Sequence, residues 1–347
     1  MSGDALTALG WNGYFAGQLD PDNDGDVVPG RVVEQHRRKV ELETADGRIT
    51  CNARPGLQTL TVGDWVLVDT RGAILRALDR RGCFRRKAPG GGSAEQLLAA
   101  NVDTAVIVSS LNEDFSLNRI ERYLAVAHEA GAQPVVVLSK ADQCADVATP
   151  LRAMRKLGID LCVEALNGLD ADSVSVLAGW FSASTTAVVL GSSGAGKSTL
   201  TNTLLGTQTQ ATAAIREEDA KGRHTTTRRS LLRLPGGGLI IDTPGIRELQ
   251  LSECEAGVVA TFDDIEAAAI DCRFSDCGHH GEPGCAVQAQ VEVGVIDARR
   301  LTNYHTLLRE QAANAESTAQ RRAREKSTSR SYQKFQRAGR RFKQGED

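Results

Sequence analysis

The chain has 347 residues, 41% of them hydrophobic and 24% charged, which is enough for two or three domains with buried cores. Its formal net charge of -3 excludes a uniformly basic nucleic-acid coat, although basic residues gather between Arg71 and Lys87 and again between Arg321 and Lys343. No apolar run approaches the roughly 20 residues that cross a bilayer. The opening MSGDALTALGW lacks the basic and apolar regions of a secretion signal, so a cytoplasmic location is expected. Eight cysteines in that setting argue against disulfides. Cys51, Cys83, Cys144, Cys162 and Cys254 are scattered and read as small buried hydrophobes.

Residues 1–28 are rich in Asp, Gly and Asn and read as a flexible acidic arm. From Gly30 the segments GRVVEQ, KVELET, RITCNA and GDWVLVD read as short strands, with a hairpin turn at Ala45, Asp46 and Gly47. They predict a small OB-like β-barrel over 29–86, an architecture that often binds RNA. KAPGGGSAEQ, residues 87–96, has the composition of a flexible linker. Beyond it TAVIVSS (104–110) and PVVVLSK (134–140) are near-continuous apolar runs, as buried parallel strands should be. Leu117, Ile120, Leu124 and Ala127 recur between them at helical spacing, and Gly131 ends that helix. TTAVVLG and LIIDTPG supply further strands, so 94–250 is expected to be a doubly wound α/β domain with its motifs at the carboxyl ends of strands.

GSSGAGKST at 191–199 satisfies GxxxxGK[ST], between an apolar strand and the helix TLTNTLL. Gly191, Ser192, Ser193, Gly194, Ala195 and Gly196 would turn backbone N–H groups around phosphate oxygens, with Thr199 opening the helix behind them. Lys197 would reach the β- and γ-phosphates and the Ser198 hydroxyl would ligate Mg²⁺. Downstream, DTPG supplies Asp242 for water-mediated contact with Mg²⁺ and Gly245 to sense the γ-phosphate. Upstream, Ser139, Lys140, Ala141 and Asp142 close an apolar strand. Asp142 can accept from both guanine N–H donors, which adenine does not offer, and the Lys140 stem can lie on the base. GTPases usually carry Asn at the Ser139 position, so one polar contact should be weaker. Between phosphate loop and DTPG, KGRHTTT (221–227) reads as the first switch, with Thr225 and Thr226 available to Mg²⁺. Ile246 stands where many GTPases keep a water-orienting Gln, which leaves His224 as the nearest candidate.

The base-reading motif precedes the phosphate loop, the reverse of the common order. A circularly permuted chain builds the same sheet. It also leads directly from the γ-phosphate-responsive segment into the C-terminal domain, so hydrolysis is expected to change how that domain is held.

Cys272, Cys277, His279 and Cys285 match a closed Cys₃His zinc site, structural because no position is left for water; spacing alone leaves His280 as a competing ligand. Zinc should be needed to fold so small a segment. The 251–347 region ends in a basic helical tail, with Tyr332 and Phe335 among its cations, which reads either as an RNA grip or as a solvated tail.

The reversed order of SKAD, GSSGAGKST and DTPGIREL, with KGRHTTTRR and CRFSDCGHHGEPGC, resembles the RsgA (YjeQ) family of circularly permuted GTPases acting in maturation of the small ribosomal subunit. The resemblance spans roughly residues 30–304. It implies a multidomain protein with an N-terminal OB-like barrel, a permuted α/β P-loop GTPase domain and a small α-rich zinc domain. It further implies binding to ribosomal RNA and hydrolysis of GTP stimulated by the subunit; a monomer is expected. It favours His279 over His280 as ligand and supports a catalytic role for His224. The chain departs from the family at Ser139 and at VEALNG (163–168), where a Ser-Ala base-supporting loop is expected. A P-loop ATPase, a non-catalytic RNA-binding module and a permuted GTPase serving another ribosomal partner are the competing readings.

Overall fold

In the computed structural model the described residues are 2–20, 22, 24–36, 39–52, 60–87, 95–112, 114–158, 160–206, 229–242 and 254–313. Two short helices come first, α1 (Ser2–Thr7) and α2 (Gly13–Ala16). Leu6, Leu9 and Phe15 pack there with Trp65, Leu67 and Leu78, and Trp11 meets Trp65 edge-on at 4.8 Å. The segment from Leu6 to Leu19 is therefore docked and not a flexible arm. The polar run that suggested an arm begins only at Asp20, and the apolar residues before it supply a face to bury. Beneath this cluster lies the Arg31 guanidinium, 1% exposed, donating to the carbonyls of Leu9, Gly63 and Asn101. Burial pulls its pKa down to about 10, so it remains charged at neutral pH.

Five antiparallel strands follow: β1 (Val28–Gln35), β2 (Lys39–Thr44), β3 (Gly47–Asn52), β4 (Trp65–Val68) and β5 (Ile74–Ala77). β1 pairs with both β2 and β4, and β2 turns into β3 at the expected site, with Gly47 at φ 120°. Val32, Val40, Leu42, Cys51, Leu60, Val66, Val68 and Ile74 fill this OB-like barrel. β6 (Cys83–Lys87) and β7 (Glu95–Ala100) form a separate antiparallel pair. The two ends of the linker predicted for 87–96 thus lie in strands, and 88–94 fall outside the described residues.

β8 (Thr104–Ser110), β9 (Gln133–Ser139), β10 (Cys162–Leu166) and β11 (Thr186–Gly191) are parallel, in the order β10-β9-β8-β11. β13 (Leu239–Asp242) runs parallel beside β11, and β12 (Arg229–Arg233) lies antiparallel to β13. Side chains alternate between faces, as the two-residue strand period requires. Val106, Val108, Val135, Val137 and Ile240 pack on one side with Leu200 of α6 (Lys197–Leu205) and Val174 of α5 (Ala171–Val174). Ala105, Ile107, Val136, Leu138 and Ile241 pack on the other with Ile120 and Leu124 of α3 (Leu117–Glu129). Ser116 caps α3 by accepting from the Arg119 amide, and Gly131 follows its end at φ 68°. α4 (Ala148–Met154) links β9 to β10. The barrel joins this sheet where Glu34 and Gln35 of β1 pair with Ser230 and Arg229 of β12.

The C-terminal module contains α7 (Glu255–Thr261), α8 (Asp263–Ala269), α9 (Ala286–Glu292) and α10, described over 298–313. Among the described residues no helix is long and apolar enough to cross a membrane.

Candidate functional site

The carboxyl ends of β9, β10, β11 and β13 lie along one edge of the sheet, where a doubly wound fold binds ligands. β11 ends at Gly191, whose φ of 141° and whose missing side chain are both required: a Cβ there would stand 2.2 Å from the Val108 carbonyl oxygen. The chain then turns through 192–195 into α6, which Gly196 opens at φ 92°. This is the backbone of a phosphate cradle at a helix N-terminus. Lys197 folds back over it, its Nζ donating to the carbonyls of Gly191, at 2.7 Å, and Ser192. Ser198 and Thr199 lie in the first turn of α6, and Asp242 is the last residue of β13, which neighbours β11.

Ser139 ends β9, 3% exposed, and its hydroxyl donates to the Ala195 carbonyl in the phosphate loop at 2.6 Å. The residue that departs from the usual Asn thus clips the 139–142 segment to the 191–199 loop. Lys140 follows in the left-handed region at φ 60°, and Ala141 and Asp142 form a 3₁₀ turn that leaves Asp142 exposed. Next to them, β10 pairs Leu166 with Ser139, so Asn167 and Gly168 flank the same edge. Thr203 of α6 donates to the Gly168 carbonyl at 2.7 Å, so the divergent VEALNG segment is fixed against the helix that follows the phosphate loop. His224, Thr225, Thr226 and Gly245 lie outside the described residues, as does the basic tail beyond 313.

One contact to the phosphate loop went unseen in sequence. Arg119 Nη1 donates to Ser192 Oγ at 2.8 Å. Tyr123 follows at i+4 on the same face, where burial pushes its phenol up and Ser192 opposes that shift. Reading α3 for its apolar stripe alone hid the Arg119 contact.

The second cluster joins Cys272, Cys277, His279 and Cys285, whose ligand atoms all lie within 4.8 Å of one another. His279 Nδ1 is 3.6 Å from Cys272 Sγ and 3.4 Å from Cys285 Sγ, and those sulfurs are 3.9 Å apart. A tetrahedral zinc with ordinary bond lengths requires about 3.6 Å between sulfur and nitrogen and about 3.8 Å between sulfurs. The donor set fits a metal ion of that kind. The ambiguity between neighbouring histidines resolves in geometry: His280 faces His305 at 4.2 Å, while Gln288 holds the His279 carbonyl.

The basic run from Arg71 to Lys87 is largely engaged internally. Arg76 pairs with Asp24, Arg80 with the buried Asp64 and Arg81 with Asp103, and Arg86 bonds to Gln96. These arginines fasten the barrel to the N-terminal segment, to itself and to the following sheet.

SKAD at 139–142 precedes the GxxxxGK[ST] loop in the chain and bonds to it in space, the arrangement of a circularly permuted P-loop GTPase. The family model described as RsgA GTPase matches residues 77–252. The chain belongs to the RsgA GTPase family, hydrolases that act on GTP. It is 52% identical over 318 residues to small ribosomal subunit biogenesis GTPase RsgA 2 of Vibrio parahaemolyticus, covering 92% of this chain and 89% of the relative. The relative of the same name from Vibrio vulnificus is 50% identical over 331 residues, 95% of each chain. Among solved structures, YjeQ from Thermotoga maritima superposes with a TM-score of 0.62 at 26% identity, over 82% of this chain and 98% of that one. YloQ, a circularly permuted GTPase, shares the fold with a TM-score of 0.61 at 23% identity, over 84% and 97% of the two chains.

Proposed function

We propose that this protein is a cytoplasmic GTPase of late small-subunit maturation that binds ribosomal RNA and turns over GTP faster on the subunit than off it. The observation that carries the nucleotide assignment is the Ser139 to Ala195 bond, which brings the reader of the base against the cradle of the phosphates. The names of the relatives support the partner. In this reading Asp142 accepts from guanine and the Lys140 stem covers the base. Lys197 exchanges its loop carbonyls for β- and γ-phosphate oxygens. Ser198, Asp242, Thr225 and Thr226 would hold Mg²⁺, which supplies neutralisation of phosphate charge. The Gly245 amide senses the γ-phosphate, and His224 orients water in place of the apolar Ile246. Cys272, Cys277, His279 and Cys285 would hold one structural zinc, which supplies the rigidity that a small core cannot. The domains follow as 29–86 for the barrel, 94–250 for the GTPase and 251–347 for the zinc module with its basic tail.

The test is phosphate release from GTP and from ATP, with and without purified small subunits. Stimulation with GTP alone is expected, and His224→Ala should abolish that stimulation while leaving nucleotide affinity intact. Equal turnover with and without subunits would refute the partner assignment.

A further inference from the structure

Helix α3 serves two places at once. Asn118, Glu121, Arg122, Ala125 and Glu129 recur at three- and four-residue intervals and form one stripe. That stripe meets the C-terminal module. Glu121, wholly buried, accepts from Arg299 at 2.8 and 3.0 Å, from Arg300 at 2.9 Å and from Asn303 at 2.5 Å. Arg122 makes a two-pronged pair with Glu310 at 2.8 and 2.6 Å. The Gly257 amide donates to Glu129 at 2.8 Å, and a Cβ on Gly257 would stand 2.0 Å from the Ala125 carbonyl oxygen, so α7 lies hard against α3. On the adjoining face Arg119 donates to Ser192 Oγ of the phosphate loop at 2.8 Å. A single turn of helix therefore touches both the nucleotide cradle and α10.

We propose that Glu121 and Arg122 are positioning residues for the phosphate loop: by gripping α10 they set the placement of α3, and with it the placement of Arg119 on Ser192. The C-terminal module is then part of the scaffold of the nucleotide site. A buried carboxylate shared by two arginines and an amide is costly to break, so α3 and α10 move as one body. A ligand that displaces α10 changes nucleotide affinity, and by linkage nucleotide changes the affinity of the module for that ligand. This route runs through α3 and α10 and draws on no residue between Asp242 and Cys254. It rests on the reading of 191–199 as the nucleotide site.

The experiment is a titration of the full-length, metal-loaded protein with a fluorescent GDP analogue. Arg122→Glu and Glu310→Arg are each expected to weaken binding about fivefold, and the double swap to restore it to within about twofold. Combined with Ser192→Ala, the effect of Arg122→Glu should shrink, because both act through one loop. Singles that lower the melting temperature but leave nucleotide affinity unchanged overturn the proposal, as does full additivity with Ser192→Ala. A wild-type chain that binds no guanine nucleotide overturns the phosphate-loop reading itself, and this proposal with it.

Discussion

Ser139→Ala is the sharpest perturbation of the nucleotide site, because it removes one hydroxyl and almost no volume. The Ser139 hydroxyl donates to the Ala195 carbonyl at 2.6 Å, with the two residues 3% and 2% exposed. Its loss leaves a buried acceptor unpaired, which costs about 1–3 kcal/mol. The phosphate loop can escape that cost in the empty protein by moving away from β9, and nucleotide must then bring the two back together. If the whole cost appears in binding, GTP and GDP affinities fall by about 5-fold to about 150-fold, since about 1.4 kcal/mol is tenfold. Preference for guanine over adenine should persist, because Asp142 is untouched. Fluorescent-nucleotide titration with GTP and ATP competitors measures both quantities. Affinity within about twofold of wild type would show that the bond closes only part of the gap that its geometry implies, below the range for an unpaired carbonyl. The argument for Ser139 as the clip would then fail.

Other perturbations act on separate parts of the molecule. Gly191→Ala puts a Cβ 2.2 Å from the Val108 carbonyl at φ 141°, so destabilisation of at least about 2 kcal/mol in urea is expected; a stable, nucleotide-binding variant would refute that steric reading. Arg300→Met leaves Glu121 and Asp264 short of their shared cation, and should cost about 3–5 kcal/mol in chemical denaturation. A loss below about 1 kcal/mol would mean that Arg299 and Asn303 suffice for Glu121. Cys277→Ser should abolish stoichiometric zinc in a colorimetric assay and expose the C-terminal module to limited proteolysis, whereas retained zinc would remove Cys277 from the ligand set. Lys197→Ala should eliminate tight nucleotide binding, read by fluorescent-nucleotide titration, because Lys197 Nζ is the ammonium that sits over the loop carbonyls of Gly191 and Ser192; retained affinity would remove Lys197 from the phosphate site.

The legible parts of the fold were those in which one physical requirement dominates the residue choice. TAVIVSS and PVVVLSK had to be buried on both faces, and they became β8 and β9. The glycines at 191 and 196 had to permit backbone conformations closed to other residues, and both have positive φ. The four zinc-type ligands carry chemistry that few other arrangements use, and they converge. The N-terminal segment was misread because composition was averaged across 28 residues. Its first 15 hold the apolar face, with Leu9 and Phe15 nearly inaccessible, and the acidic run follows them.

Charge was the least legible property, because a sequence displays a cation but not its partner. Arg76, Arg80, Arg81 and Arg86 formed a basic run that suggested contact with RNA, yet each meets a side chain 10 to 52 positions away in the chain. Arg299 and Arg300 drew no notice, although with Glu121 they build the joint between α3 and α10 across 178 and 179 positions. Both outcomes follow from desolvation: a guanidinium near an interface is kept only if a carboxylate or carbonyl accepts from it, so arginines concentrate where modules meet. In this chain the arginines of the barrel run and of α10 mark the joints of the molecule. Arginines counted toward RNA affinity fasten the barrel, and two that were not counted hold the C-terminal module against α3.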